Sequence, residues 1–418
     1  MKNMSSIIKK IIAILSLFLL ISLTLSPFQA IQPSPQTLTI DASDQSEIFF
    51  NRKITILMRI AGFPSLSACI IKDDQMIWSN SYGFYDRTNK KQSTGNTIYM
   101  LASITKTIVG TALMQLYEKD LFCLDDDVNI YVPFELRNPN FPEDPITIRM
   151  LLSHTSSLNI NTQMQYYWFN FSGDPPFPFF PQPYLEEFLV PGGRYYDETI
   201  WSKTYRPGEH AMYANVGYDL IAYLVELISN QPFLSYCDSY IFNPLNMKNT
   251  SFNLSRLPIQ QVAIPYQRVL GRYFHLNELN FMLGNFTPPD IYWRFRAFPA
   301  GGLYSTVSDL SRFLIAHMNE GMYKNTRILQ KETVRLMHEI QPGNAINYGL
   351  AWMHTSITPR LSVSGHGGDL FGVDTWMLYC QTTNTGVIYL ANGNPAYGSM
   401  PFRGILLYRI ILYLLFTK

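Results

Sequence analysis

Ser103-Ile104-Thr105-Lys106 sets a hydroxyl and a primary amine three residues apart in the stretch TIYMLASITKTIVGTALMQLYEKD. On a helix, residues i and i+3 share a face, so the two side chains can touch. A serine where a loop enters an apolar helix also lies among unpaired backbone N–H groups, at the positive end of the helix dipole. A lysine held close and stripped of water gives up its proton more readily, and can then draw the proton from the serine. The chemistry implied is nucleophilic attack by Ser103 with Lys106 as its activating partner. The pattern alone has low specificity, because Ser6-Ile7-Ile8-Lys9 also satisfies it.

Such a pair needs a second proton-handling group, donors for a developing oxyanion and something to hold the substrate. Tyr213 and Asn215, in the run RPGEHAMYAN, offer a hydroxyl that can pass protons and an amide that can grip a substrate or the lysine. Tyr323-Lys324-Asn325 repeats the Tyr-x-Asn pattern but reads as a polar surface turn. The third element is Gly365-His366-Gly367-Gly368-Asp369, at the end of a strand. Glycines on an edge strand let a substrate backbone approach, and the strand can lend a backbone N–H to the oxyanion. His366 could orient or polarise a substrate group. Taken alone, this element is better described as a glycine-rich bend beside a structural histidine.

The elements that must position these residues follow from periodicity. Ser67 to Lys72, a turn at Asp73-Asp74 and Gln75 to Ser81 form a hairpin pattern, and the Ser103 helix comes next. From about 120 to 320 the chain reads as short helices and loops, among them Tyr218 to Ser229 with helical apolar spacing. Strands return with LSVSGHG, VDTWMLYCQ, a Thr-Asn-Thr-Gly turn and GVIYLANG; Gly404 to Phe416 suits a helix packed on a sheet. The expected fold class is α+β, with an antiparallel sheet from both chain ends flanked by helices and an inserted, mostly helical subdomain. Two aromatic-rich stretches, 164–184 and 270–298, read equally well as walls of a cleft or as self-packed loops.

The three motifs, in the order Ser-x-x-Lys, Tyr-x-Asn and His/Lys-x-Gly, resemble those of the serine beta-lactamase-related proteins of class C beta-lactamase and D-alanyl-D-alanine carboxypeptidase type. LLSHTSSL (151–158), RPGEHAMYAN, PAGGLYSTVSDLSRF (299–313) and NYGLAW (347–352) also resemble family text, and the likeness runs from about residue 50 to 415. The resemblance implies a beta-lactamase/transpeptidase-like fold. It also implies acylation of Ser103, activation by Lys106, Tyr213 as general base or acid, and Asn215 in positioning. The oxyanion hole would be the backbone N–H groups of Ser103 and Asp369, with His366, Gly367 and Gly368 lining the substrate side. Three departures stand out. His366 replaces a usual lysine and would hold a substrate carboxylate less reliably. Asp369 replaces a small neutral residue and would set a carboxylate at the mouth of the site, against anionic substrates. Ser157 replaces a usual glycine.

The rest of the chain narrows the function. It has 418 residues, 47% hydrophobic and 15% charged, with a formal net charge of +1, so no field attracts nucleic acid. Lys2, Lys9 and Lys10 precede the apolar run Ile11 to Leu25, which reads as a signal peptide or signal anchor within residues 1–30. A linker at 31–48 and a hydrolase domain at 49–418 would follow. This places the protein in the secretory pathway, extracellular, lumenal or anchored through residues 11–25; a monomer is expected, though nothing in the sequence fixes the oligomeric state. The seven histidines form no ligand-spaced pair, so no metal and no cofactor is expected, and His154 is assigned a structural role. Cys69, Cys123, Cys237 and Cys380 read as buried small hydrophobes before they read as disulfide partners. The expected function is a serine hydrolase acting on a small ester, amide or peptide, peptidase- or esterase-like, with beta-lactam hydrolysis ranked below. The alternative is a catalytically inactive or assembly-forming module on the same fold. An α/β-hydrolase would need Gly-x-Ser-x-Gly, which is absent.

Overall fold

Strands from both ends of the chain meet in one sheet. A computed structural model describes residues 42–159, 184–269, 271–275, 278, 291–294, 297–394 and 412. The targeting segment at 1–30 lies outside the described residues, as do most of the two aromatic-rich stretches and, except for Leu412, the apolar stretch 404–416. The chain divides into two units, residues 1–50 and 51–418. Of the first, only 42–50, the start of helix α1 (Ala42–Ala61), are described.

That helix begins inside the stretch read above as a linker. Its second half explains why: Ile54, Leu57, Met58 and Ala61 recur at helical spacing and are all buried. The sheet follows with β1 (Ser65–Lys72), β2 (Gln75–Asp86) and β3 (Lys91–Gln92). The expected hairpin is present and longer than its alternation showed. Helix α2 (Thr105–Tyr117) comes next, then α3 (Ile148–Leu152), α4 (Asn215–Ser229), α5 (Val307–Met318) and α6 (Lys331–His338). The chain returns to the sheet through β4 (Met353–Thr358), β5 (Leu361–Leu370), β6 (Val373–Cys380) and β7 (Thr385–Ala391). The order is β4-β5-β6-β7-β1-β2-β3, with every pairing antiparallel. The α+β arrangement expected from the sequence is therefore the observed one.

Every residue of β7 is buried, as is β1 up to its last residue, which explains their unbroken apolar runs. Helix α5 packs on β1, β6 and β7, its start capped by the Thr306 hydroxyl, which accepts from the Asp309 N–H at 3.1 Å. Helix α2 is buried on all sides except at Tyr117, and so is the centre of the molecule. Its threonines are satisfied internally: Thr107 Oγ1 donates to Ile104 O and Thr111 Oγ1 to Thr107 O, both at 2.8 Å. Helix α4 lies across α2 and ends at Asn230, whose φ of 53° is the left-handed stop. The cysteines are all free; Cys123 is exposed and the other three are buried.

Strand β5 runs against the turn before α2. A methyl group at Gly368 would lie 2.2 Å from Leu101 O and 2.3 Å from Thr375 Oγ1, while Thr375 Oγ1 donates to Leu101 O at 2.8 Å. Only glycine lets strand and turn approach this closely. Gly368→Ala is expected to cost about 1–3 kcal/mol of stability. Thermal unfolding checks this, and an unchanged Tm would mean that the contact is soft.

Candidate active site

Ser103 sits in a single turn of 3₁₀ helix, Ala102–Ile104, that leads into α2. Ala102 has φ 46°, a left-handed conformation that costs an alanine on the order of 1 kcal/mol and bends the chain sharply just before the serine. Neighbours on both sides are buried while Ser103 is only half-buried, so the turn presents its hydroxyl. The Lys106 ammonium donates to Ser103 Oγ at 3.1 Å and to Ala300 O at 2.5 Å. The expected i, i+3 contact is therefore made.

Lys106 is wholly buried. Burial lowers its pKa to about 7, although the carboxylate of Asp219 pulls the other way. The Tyr213 hydroxyl is hydrogen-bonded to Ser103; burial pushes the phenol upward and the serine bond opposes it. Lys106 Nζ also lies 5.0 Å from the centre of the Tyr213 ring and 5.5 Å from that of Tyr218. Asn215 opens α4, half-buried, three residues earlier than the apolar spacing showed.

His366 is buried on β5, its ring centre 6.3 Å from that of Tyr213. Its Nδ1–H donates to Gly367 O at 2.6 Å, and its Nε2 accepts from the Tyr348 hydroxyl at 2.7 Å. These two bonds assign one neutral tautomer. Burial, with the Lys106 charge, holds its pKa at about 3, so His366 does not carry the partial charge that an exposed histidine would have. Strand β4 pairs with β5 only as far as Gly365, so among the described residues His366 to Leu370 have a strand, β6, on one side only. Alternation along β5 puts Asp369 on the sheet face opposite His366, and its carboxylate accepts from Asn394 Nδ2. The carboxylate thus lies across the sheet from the Ser103 turn, beside Asp374 in the strand register, rather than directed at the serine.

Several residues of this cluster carry no motif of their own. His154 lies at φ 61° after α3, with ring centres 4.3 Å from Tyr213, 4.8 Å from Tyr348 and 5.2 Å from Tyr218. Its Nδ1 accepts from the Ala214 N–H at 3.2 Å, so it fixes the Tyr213-Ala214-Asn215 segment. Ser157 has φ 60°, the conformation a glycine adopts freely, and its hydroxyl accepts from Asn138 Nδ2 at 3.0 Å. Asp219 and Ala300 frame the lysine from the far side. The signal for Asp219 was a carboxylate inside the apolar run of α4. Tyr323 stands in a two-strand hairpin turn, Met322–Tyr323 against Thr326–Arg327, away from the cluster. Among the described residues no group of three His, Cys, Asp or Glu side chains could hold a metal ion, and no helix is long and apolar enough to cross a membrane.

The fold and this site define a protein of beta-lactamase/transpeptidase type. A penicillin-binding protein homologue from Pyrococcus abyssi, described as octameric, superimposes with a TM-score of 0.68 at 25% identity, covering 88% of this chain and 77% of its own. The D-amino acid amidase of Ochrobactrum anthropi SV3 gives 0.67 at 20% identity, covering 88% and 99%. Residues 50–408 match the Beta-lactamase family, and the chain belongs to that family of serine hydrolases. Protein flp of Staphylococcus aureus (strain N315) is 26% identical over 341 residues, which are 80% of this chain and 60% of the staphylococcal protein. Penicillin-binding protein 4* of Bacillus subtilis (strain 168) is 24% identical over 321 residues, 76% of this chain and 65% of its own. The chain thus spans under two thirds of the length of these curated relatives.

The neutral histidines have a measurable consequence. His366 and His317, the latter buried on α5 with Nε2 3.1 Å from Thr111 Oγ1, are both held at about 3 by burial. In the unfolded chain each takes up a proton near pH 6.5. Their contribution to stability is complete above about pH 6.5 and is lost as pH falls toward 3, at about 1.4 kcal/mol per pH unit for each ring. The Tm is expected to fall steadily from about pH 6.5 downward, with both rings still neutral by NMR at about pH 5. Rings that charge near pH 6.5 in the folded protein would contradict this.

Proposed function

We propose that this chain forms an acyl-enzyme on Ser103 and hydrolyses a small ester, amide or peptide, with peptidase- or esterase-like preference. The observation that carries the reading is the Lys106–Ser103 contact of 3.1 Å, made by a buried lysine whose pKa lies at about 7. At neutral pH a large share of such a lysine is the free amine, which is the form that can take the serine proton. Tyr213, pushed upward, keeps its proton and serves best as the acid that passes it on.

The steps follow from these protonation states. Ser103 Oγ attacks the carbonyl carbon as its proton moves to Lys106 Nζ. The carbonyl oxygen, now negative, lies at the backbone N–H groups of Ser103 and Asp369. The leaving nitrogen or oxygen departs with a proton relayed through Tyr213, and Lys106 is free again. Water then attacks the ester by the same route and releases the acid. The open side of β5 suits an extended substrate, laid beside His366 to Leu370 as an added strand.

The neutral His366 offers no cation to a substrate carboxylate, which supports ranking beta-lactam hydrolysis below ester or amide hydrolysis. The name of one neighbour, a D-amino acid amidase, supports an amide substrate, whereas that of a penicillin-binding protein supports recognition of a beta-lactam. The apolar run Ile11 to Leu25 supports export as the setting.

Incubation with a fluorophosphonate or a penicillin-type probe, followed by intact-mass analysis, is expected to give a covalent adduct that Ser103→Ala abolishes. Absence of labelling in folded protein by either probe would favour the non-enzymatic module instead. Lys106→Ala is expected to slow acylation by about 10²–10⁴-fold with the fold retained. Near-normal acylation would remove the lysine from the role assigned to it.

A further inference from the structure

Asp219 lies one turn beyond Asn215 on α4, wholly buried, and neither of its carboxylate oxygens has a close hydrogen-bond partner among the described residues. The polar groups that face it are the Lys106 ammonium and the Ala300 amide. Ala300 also receives the lysine through its carbonyl, while its N–H, bonded to Ala297 O at 3.2 Å, favours the charged form of Asp219 as well. Helix α4 rests on both α2 and the Phe298–Ala300 turn, which brings Asp219, Lys106 and Ala300 to the same seam. Burial pushes the Asp219 carboxyl well above the usual carboxylate range, opposed by the Lys106 charge and the Ala300 N–H. Its charged form therefore costs several kcal/mol except while the ammonium is charged beside it. The neighbouring positions of the helix are apolar, so packing alone would be served by a leucine.

We propose that Asp219 is a positioning residue for Lys106: its carboxylate is the counter-charge that holds the ammonium between Ala300 and Ser103 and governs when it releases its proton. This rests on the reading of Lys106 as the base for Ser103. The other titratable groups around the ammonium are Tyr218 on α4, Tyr213 ahead of it, His154 after α3 and His366 on β5. Both histidines are held neutral by burial, and both tyrosines keep their protons. None of them supplies a negative charge. During attack the proton leaves Ser103 Oγ, the N–H bond forms on Lys106, and the ammonium so created is stabilised by the Asp219 carboxylate. The same charge would be redundant beside a lysine that stayed neutral throughout.

The test is the pH dependence of fluorophosphonate acylation of the full chain, with Asp219→Asn beside the wild type. Loss of the counter-charge makes the lysine give up its proton more easily, so the acidic limb is expected to move down by about one pH unit or more. The plateau rate is expected to fall about tenfold or more, because the ammonium formed in the transition state has lost its partner. An unmoved limb would overturn the proposal, since a merely structural role changes the amount of active protein and not its titration. A second arm needs no activity: the Tm values of Asp219→Asn, Lys106→Met and the double variant. Each single change strands a buried charge, so the double variant is expected to lose less than the sum of the two. Additive losses would overturn the pairing, as would a double variant that still fails to fold where Asp219→Asn fails. A wild type that is never labelled defeats the acyl-enzyme reading, and the Tm arm then decides the Lys106–Asp219 pairing alone.

Discussion

A lysine ammonium taken out of water costs several kcal/mol unless other groups replace its hydration, and Lys106 is wholly buried. The groups that replace it come from four separate places. The serine precedes its own helix, the carbonyl belongs to Ala300, the carboxylate and the aromatic faces come from α4 and the residues just before it, and β5 closes the side with His366. Few of these contacts are local in sequence. The packing of α4 and the 298–300 turn on α2, with β5 against the turn before it, is therefore the condition under which this lysine can be buried at all, and burial is what brings its pKa to about 7.

The same ammonium sets the charge of its neighbours. His154 and His366 are both driven toward the neutral ring by burial and by Lys106. A lysine at position 366, usual in class C beta-lactamases, would have put a second cation beside the first. The chain instead places a neutral ring there, anchored by Tyr348 and by Gly367 O. The two solutions answer one electrostatic constraint differently, and they leave different potentials for the substrate.

The proximity of the candidate residues was legible in the sequence because the order and types of the three motifs restrict how they can be brought together. Ser103, Lys106, Tyr213 and His366 are brought into one cluster, as the motifs implied. The sheet was legible because its strands alternate or run apolar over several residues. Asp219 was hidden, since one acid in an apolar helix reveals its role only when the 298–300 turn arrives against it. The protonation of His366 was hidden too, because it depends on burial and not on residue type. The face occupied by Asp369 could have been read: it stands three residues from His366 on a strand, and an odd separation puts two side chains on opposite faces. Helix α1 escaped notice because its apolar positions are diluted by Arg52, Lys53 and Arg59.

Building the sheet from both chain ends also imposes an order on biosynthesis. Ser103 and Lys106 are made early, while β5, whose Gly368 seals the turn before the serine, is among the last strands to appear. Until β5, β6 and β7 have inserted beside β1, Lys106 has no closed environment and keeps the proton of an ordinary hydrated lysine. The nascent chain thus holds Ser103 and Lys106 before it holds the surroundings that bury the lysine and lower its pKa. Long-range closure of this kind is slow to form, so the buried state of Lys106 is among the last features of the fold to appear.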